Sequence, residues 1–484
     1  RLVSVFIPVW PSIARTCART TLPPLPKGAT TAAHLLSFVC FGCLGCSGSL
    51  GPKQRSPSPR TAHWCYTARS PQRTAYPVGQ DMLWTVHLDG GPQRVNHAAV
   101  GVGDFIYSFG GYCTGYDYRY NEPIDVHALN AHTMRWTLVP QQLDDAGVPL
   151  KYPLVPFQRY GHTVVAYKDR IYIWGGRNDE NLCNTLYCFD PKTAQWSRPQ
   201  VTGCLPGARD GHSACVIGNS MYIFGGFVDE INEFSSDVHS LNLDTMEWRY
   251  VQTFGVPPSY RDFHASVAYE QERMYIFGGR GDKHSPYHSQ EETYCHEIVY
   301  LDMKTKVWHR PFTAGKVPVG RRSHSMFVYN KLIYVFGGYN GLLDQHFNDL
   351  YTFDPRTKLW NLIRANGKAP TARRRQCAIV MGTRMFLFGG TSPRSGSSSS
   401  PAAVSPTQEA GGAAAAGGVV PPGVALIDYS DLHVLDFEPT LKTLATMVVL
   451  KHQLDISGLP RSFRSDLQML TQPNSISRPI NQAG

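Results

Sequence analysis

RIYIWGGRND, residues 170–179, carries a short hydrophobic run into a Gly-Gly pair, and the same phrase returns along the chain. It reads FIYSFGG at 105–111, MYIFGG at 221–226 and again at 274–279, IYVFGG at 333–338 and MFLFGG at 385–390. The pairs begin at Gly110, Gly175, Gly225, Gly278, Gly337 and Gly389, so the intervals are 65, 50, 53, 59 and 52 residues. A unit of about 50 residues that ends a β-strand in Gly-Gly is the sequence mark of a propeller blade. Six such units close on one another into one all-β body, whatever number of domains the length alone would suggest.

Working outward from each pair, the same marks recur. Upstream stands Arg-x-x-His: Arg94…His97, Arg159…His162, Arg209…His212, Arg261…His264 and Arg321…His324, with Arg373…Gln376 as the departing sixth copy. Downstream come a variable loop and a third strand such as NTLYCFD (184–190) or NDLYTFD (348–354). A last strand follows, marked by Trp136, Trp196, Trp248, Trp308 or Trp360. Alternating short strands bounded by turn residues predict four antiparallel strands per blade. The Trp is suited to the wedge between blades, where a large ring buries ~150–250 Å². A His present in five of six copies is read as structural, since a catalytic residue is not needed five times.

The sixth repeat has no Trp after SDLHVLDF (430–437), while Met82-Leu83-Trp84-Thr85-Val86 precedes the first. That N-terminal strand is predicted to complete the sixth blade; the alternative fourth strand is LATMVVL (444–450). Residues 1–81, which begin at Arg1, read as a disordered or spurious extension ahead of Met82. Their apolar stretch at 31–46 is too short and too broken by glycine to span a bilayer, and its Cys40, Cys43 and Cys46 lack the partner ligand and folded context of a metal site. Residues 391–423, rich in Ser, Ala, Gly and Pro, read as a disordered insertion in the last blade.

These marks resemble the kelch repeat, over roughly 82–440. The expected fold is therefore a six-bladed kelch β-propeller (82–439) followed by a short helical C-terminal tail (440–484). Of the 12 cysteines, those within the blades share no common position, as packing thiols of a cytosolic or nuclear protein would. No P-loop, Gly-x-Ser-x-Gly or His-Glu-x-x-His is present. The chain reads as non-catalytic, with no cofactor and no metal, and no membrane partner is expected. The net charge of +9 is not arranged as a long Lys/Arg stripe with interleaved aromatics, which argues against nucleic acid.

In kelch propellers the loops before the first strand and after Gly-Gly share one face. On that face the sequence places Arg177, Arg209, Arg261, Arg280, Arg322, Arg374 and their neighbours, interleaved with Tyr160 and Phe263. A ring of arginines makes an electropositive bowl, and arginine suits the planar, two-pronged capture of a carboxylate. A free peptide C-terminus supplies that group. The competing reading is that these arginines pair with Asp179, Asp210 and Asp262 and only tie loops together.

In the tail, apolar residues at 441, 444, 445, 448 and 449 fall on one helical face, with Thr440 as N-cap. A second helix start follows at Leu459-Pro460. Thr440, Leu441, Ala445 and Val449 resemble an elongin-binding box, although Ala stands where Cys is usual. Leu459, Pro460 and Phe463 resemble a cullin-2 box. With the kelch ring before them, the chain resembles kelch-type substrate receptors of cullin-2 RING ubiquitin ligases. The resemblance implies partners in elongin B, elongin C, cullin-2 and its RING subunit. It also implies recognition of targets by a C-terminal glycine degron, with Arg280 and the Arg322-Ser323 pair on the carboxylate. A further arginine of those relatives falls near His284-Ser285, where this chain has none. The chain's own end, Ala483-Gly484, suggests self-association through Gly484 in another copy's bowl. The alternative function is a chromatin- or DNA-associated kelch protein, related to a recombination-activating one.

Overall fold

A computed structural model describes residues 82–289, 291–394 and 425–478. The expectations for 1–81, for self-association through Gly484 and for the body of the 391–423 insertion lie outside them.

Six four-stranded antiparallel blades are present. Blade 1 runs Ala98–Val102, Phe105–Phe109, Val126–Asn130 and Arg135–Leu138, and blades 2 to 5 repeat the order. Blade 6 takes three strands from its own repeat, Cys377–Met381, Arg384–Phe388 and Leu432–Asp436, and its fourth, Leu83–Leu88, from the N-terminal side. The ring is thus closed by the segment around Trp84, not by 444–450, which is helical. Thr391–Pro393, expected inside the disordered insertion, is a strand paired with Leu426–Asp428; Thr391 Oγ1 also donates to the Ile427 carbonyl at 2.9 Å.

Each recurring residue has a physical task. The Trp of every blade packs on the aromatic before Gly-Gly of the preceding blade. The six pairs are Trp196 on Phe109, Trp248 on Trp174, Trp308 on Phe224, Trp360 on Phe277, Trp84 on Phe336 and Trp136 on Phe388, at 5.0–6.1 Å between ring centroids. Most meet edge to face, the arrangement that aromatic quadrupoles favour. The His of five repeats, and Gln376 in the sixth, lies beneath the first glycine of the preceding blade's pair, where a Cβ would strike it: one on Gly175 would stand 2.4 Å from His212 Cε1. Thr163 and Ser213 hydroxyls hydrogen-bond His212 Nε2 and His264 Nε2 at 2.8 and 2.7 Å.

The leading Arg of the motif turns into the blade. Arg209, Arg321 and Arg373 each donate to a Gly-Gly carbonyl and fork onto an aspartate that opens the third strand: Asp237, Asp349 and Asp431. Arg94 pairs likewise with Asp125.

At the axis the third residue of each motif links to the next. Main-chain N–H groups of Gly161, Gly211, Phe263, Ser323, Arg375 and Asn96 donate in turn to the carbonyls of Asn96, Gly161, Gly211, Phe263, Ser323 and Arg375, at 2.7–3.2 Å. The cycle closes on itself. All six residues have φ between 48° and 67°, a left-handed conformation that costs a residue with a Cβ roughly 1–2 kcal/mol.

The tail leaves blade 6 at Phe437. Helix α1 spans Leu441–His452 and is capped by Thr440 Oγ1, which accepts from the Thr443 N–H at 3.1 Å. Helix α2 spans Arg461–Thr471. Both lie on the face opposite the Gly-Gly ends, beside the turn at His132–Met134. Buried Leu467 and half-buried Leu470 anchor α2, and Arg135 donates to the Met469 and Gln472 carbonyls. Beyond it the chain joins blade 1 as an edge: Leu138 N–H donates to the Ser477 carbonyl and Ser477 N–H to that of Trp136, at 2.9 and 3.1 Å. No helix among the described residues is long and apolar enough to cross a membrane.

Candidate functional site

The Gly-Gly face is built from two residues per blade. The second position of Arg-x-x-His bridges the residue that follows Gly-Gly, giving Tyr160 with Arg177, Asp210 with Phe227, Asp262 with Arg280, Arg322 with Tyr339 and Arg374 with Thr391. The left-handed third positions form the floor: Asn96, Phe263, Ser323 and Arg375 keep side chains where blades 2 and 3 have Gly161 and Gly211. Replacing Ser323 by glycine relieves the strain, and we expect it to raise unfolding free energy by about 0.5–1 kcal/mol in urea titration.

The arginines divide into three groups. Arg209 and Arg261 were expected in the bowl; the structure corrects both. Arg209 is 2% and Arg261 3% exposed. Arg209 is held by Asp237, and Arg261 donates to the Ser259 and Gly278 carbonyls, each at 2.9 Å. They bind their own blade because the first motif position faces inward.

Arg280 and Arg177 reach the bowl already paired. Arg280 forks onto Asp262 and sets Nη1 3.3 Å from Glu292 Oε1. Burial works against its charge, yet Asp262 raises it above the ordinary arginine range. Arg322 shares the same Glu292 oxygen at 3.4 Å. Although burial opposes its ionisation, Glu292 is held below the usual carboxylate range by Arg322, Tyr294 and Arg280. Arg177 meets half-exposed Asp229 at 3.4 Å, and the Tyr160 hydroxyl donates to Asp179 at 3.2 Å.

Arg374 and Arg375 have no acidic partner among the described residues. Arg374 is 5% exposed; its guanidinium lies 4.4 Å from the Tyr339 ring centre and leaves Nε without an acceptor. Burial, then Arg375 and Arg322, pull its pKa down to about 10. Arg375 donates to the Tyr112 hydroxyl and lies near the Phe263 ring. His346, next to Tyr339, is lowered to about 3 by burial and by Arg374, Arg375 and Arg322. The cationic quadrant spans blades 5 and 6, with Ser323 on the adjoining floor.

The opposite quadrant carries carboxylates beside Arg177 and Arg280. Buried Asp210 leaves Oδ1 unpartnered, and burial with Asp262 nearby pushes its pKa up to about 7. The bowl is therefore polarised rather than uniformly positive, and the reading of arginines tied to acids holds for Arg280 but not for Arg374. Tyr116, Tyr120, Ile231, Tyr287, Leu342 and Leu343 stand exposed on the surrounding loops. Tyr112 and Glu292 were not singled out from sequence; Tyr112 follows Gly110-Gly111 as Arg280 follows its own pair, which is the signal that marks it.

On the tail, Thr440, Leu441 and Ala445 are exposed and Val449 is half-buried; Leu441 is 83% exposed. Leu444 and Val448 extend the same uncovered apolar stripe, because α1 seats itself through Thr446 instead. Pro460 is exposed, with Leu459 and Phe463 half-buried beside it. Lys442 bridges the helices through Asp466 at 2.6 Å.

The profile of the KLHDC2/KLHL20/DRC7 Kelch-repeats domain matches residues 161–390. Kelch domain-containing protein 3 of Bos taurus is 48% identical over 400 residues, which cover 82% of this chain and 98% of that protein. The Homo sapiens protein of the same name is 47% identical over the same shares. Host cell factor 2 of Homo sapiens is 30% identical over 258 residues, 50% of this chain and 32% of that protein.

Proposed function

The chain belongs to the kelch-repeat family of Kelch domain-containing protein 3, and from that premise we propose that it is the substrate-recognition subunit of a cullin-2 RING ubiquitin ligase. Its bowl takes the carboxylate end of a target that terminates in glycine. It performs no bond chemistry itself, and its setting is the cytosol or nucleus.

The observation that carries this reading is Arg374. A buried guanidinium with no anion costs stability, and it is kept beside two further arginines, Arg375 and Arg322, on the Gly-Gly face. An incoming carboxylate supplies the missing charge. Two or three charge-assisted hydrogen bonds of ~1.5–3 kcal/mol each approach the ~8 kcal/mol of micromolar affinity. A terminal glycine brings no side chain to the floor, where Phe263, Ser323 and Arg375 keep theirs. Displacing Glu292 would free one edge each of Arg280 and Arg322 for the same ligand. Asp210, across the bowl, is placed to accept an N–H of the bound chain.

The tail fits the second half of the role. Its uncovered stripe on α1 and exposed Pro460 offer elongin C and cullin-2 a surface on the face away from the bowl. A ligase held on one face and a target on the other share a high effective concentration.

The test is a pull-down with wild-type and Leu441→Ala/Pro460→Ala protein. Elongin B, elongin C and cullin-2 are expected with the wild type only. Peptides ending in Gly, Gly-amide or Ala then probe the bowl, with the amide expected to bind at least about tenfold more weakly. Retention of the ligase subunits by the double variant overturns the receptor role. Equal binding of acid and amide overturns the carboxylate clamp, and a steep salt dependence blind to peptide ends favours DNA.

A further inference from the structure

We propose that the seam where the ring closes carries a site for a divalent late transition-metal ion, zinc by preference, built from His87, Asp89, Asp431 and His433. The closing strands pair antiparallel with His87 opposite His433 and Leu88 opposite Leu432. Both leucines are buried in the core. Strand alternation then gathers His-x-Asp (87–89) and Asp-x-His (431–433) on the other side of the pair.

The side chains already converge. The imidazoles stack with centroids 4.5 Å apart at 16°. Nε2 of His433 is 3.0 Å, and Nε2 of His87 3.9 Å, from Asp431 Oδ2, and His87 Nε2 is 3.7 Å from Asp89 Oδ1. Donor atoms of His87, Asp431 and His433 all lie within 4.8 Å of one another. Turning the stacked rings so that both Nε2 atoms face Asp431 Oδ2, and swinging exposed Asp89 in beside His87, gives two imidazoles and two carboxylates for a tetrahedral zinc site with bonds of ~2.0–2.2 Å. His87 is partly exposed and leaves a path for the ion.

Two neighbours bear on affinity. Arg373 forks onto Asp431 and adds positive charge, which the second carboxylate, Asp89, offsets. Lys368 Nζ lies 3.3 Å from His87 Nδ1 and competes with the ion. The Asp-x-His element itself is not special to this blade, since Asp125-x-His127 and Asp237-x-His239 repeat it. The residues facing those histidines are Leu138 and Tyr250; in blade 6 the facing residue is a second histidine.

The test uses full-length protein stripped with EDTA, then supplied with zinc chloride or cobalt chloride. At a zinc concentration about a hundredfold above Kd, Tm is expected to rise by ~2–5 °C. Cobalt is expected to give the d–d absorption of a four-coordinate nitrogen and oxygen set, with no thiolate charge-transfer band. His87→Gln, at a partly exposed position, is expected to weaken both responses and to lower zinc affinity at least about tenfold. Lys368→Gln is expected to raise it. An equal response in His87→Gln, a thiolate band pointing to cysteines such as Cys40 and Cys43, or no response in the wild type overturns the proposal.

Discussion

Arg374→Gln lowers affinity for a peptide with a free C-terminal glycine by about 100-fold, ~3 kcal/mol, while the protein melts no lower than wild type. Arg373→Gln, one residue earlier, does the reverse. Arg374 is buried without an anion, so its removal relieves a desolvated charge and takes from the ligand the hydrogen bonds that no internal group uses. Its main chain keeps the bridge to Thr391, at 2.9–3.0 Å, whatever the side chain. Arg373 is fully buried and forks onto Asp431 at 2.6 and 2.7 Å. Cutting it strands a buried carboxylate, a loss of ~3–5 kcal/mol. Calorimetric titration with the peptide, set beside thermal melts of both variants, separates the two roles. If Arg374→Gln binds like wild type, the carboxylate is held elsewhere.

The second large effect is acid instability. His97, His212 and His324 are lowered to about 3 by burial and the adjoining motif arginines, and His162 and His264 are lowered well below the ordinary value for the same reason. Unfolded, each imidazole takes a proton near pH 6.5; folded, each stays neutral far below that. The unfolded chain thus binds more protons between pH 6.5 and about 3, and stability falls as pH drops through that window. One histidine contributes ~1.4 kcal/mol per pH unit, so five reach ~7 kcal/mol per unit, against a typical total of ~5–15 kcal/mol. Asp210, raised to about 7, opposes this by one proton. Blade 6 supplies the control, since Gln376 fills the same place and donates to Ser325 Oγ and the Phe336 carbonyl. A His162→Gln/His264→Gln variant is expected to lose two protons from the slope of unfolding free energy between pH 6.5 and 5. An unchanged slope means that these rings titrate normally in the fold.

Six Gly-Gly pairs, the Trp marks and the displaced Trp84 made the propeller and its closure legible, because each is a backbone or packing requirement repeated in every blade. The helical tail was legible from the spacing of Leu441, Leu444, Ala445, Val448 and Val449, and Thr440 caps it as read. The arginines were harder. Arg209 and Arg374 both stand in one Arg-rich motif, yet the strand turns the first position inward and the second toward the bowl. A signal for that split was present: an aspartate opens the third strand in four blades, as Asp125, Asp237, Asp349 and Asp431, ready for the leading Arg. Where Thr185 and Glu297 stand at that place, Arg159 and Arg261 lean on carbonyls. The sharing of Glu292 between Arg280 and Arg322 depends on contact between the loops of blades 4 and 5, which spacing along the chain does not reveal.

The axial cycle is made wholly of main-chain atoms, with each blade giving one N–H and taking one. No side chain is spent in holding the hub together. Any residue that tolerates the left-handed turn can therefore stand on the bowl floor without loosening the ring, and asparagine, phenylalanine, serine and arginine already do. Specificity can drift there while the scaffold stays fixed, so a library randomised at Asn96, Phe263, Ser323 and Arg375 would vary what is bound rather than whether the protein folds.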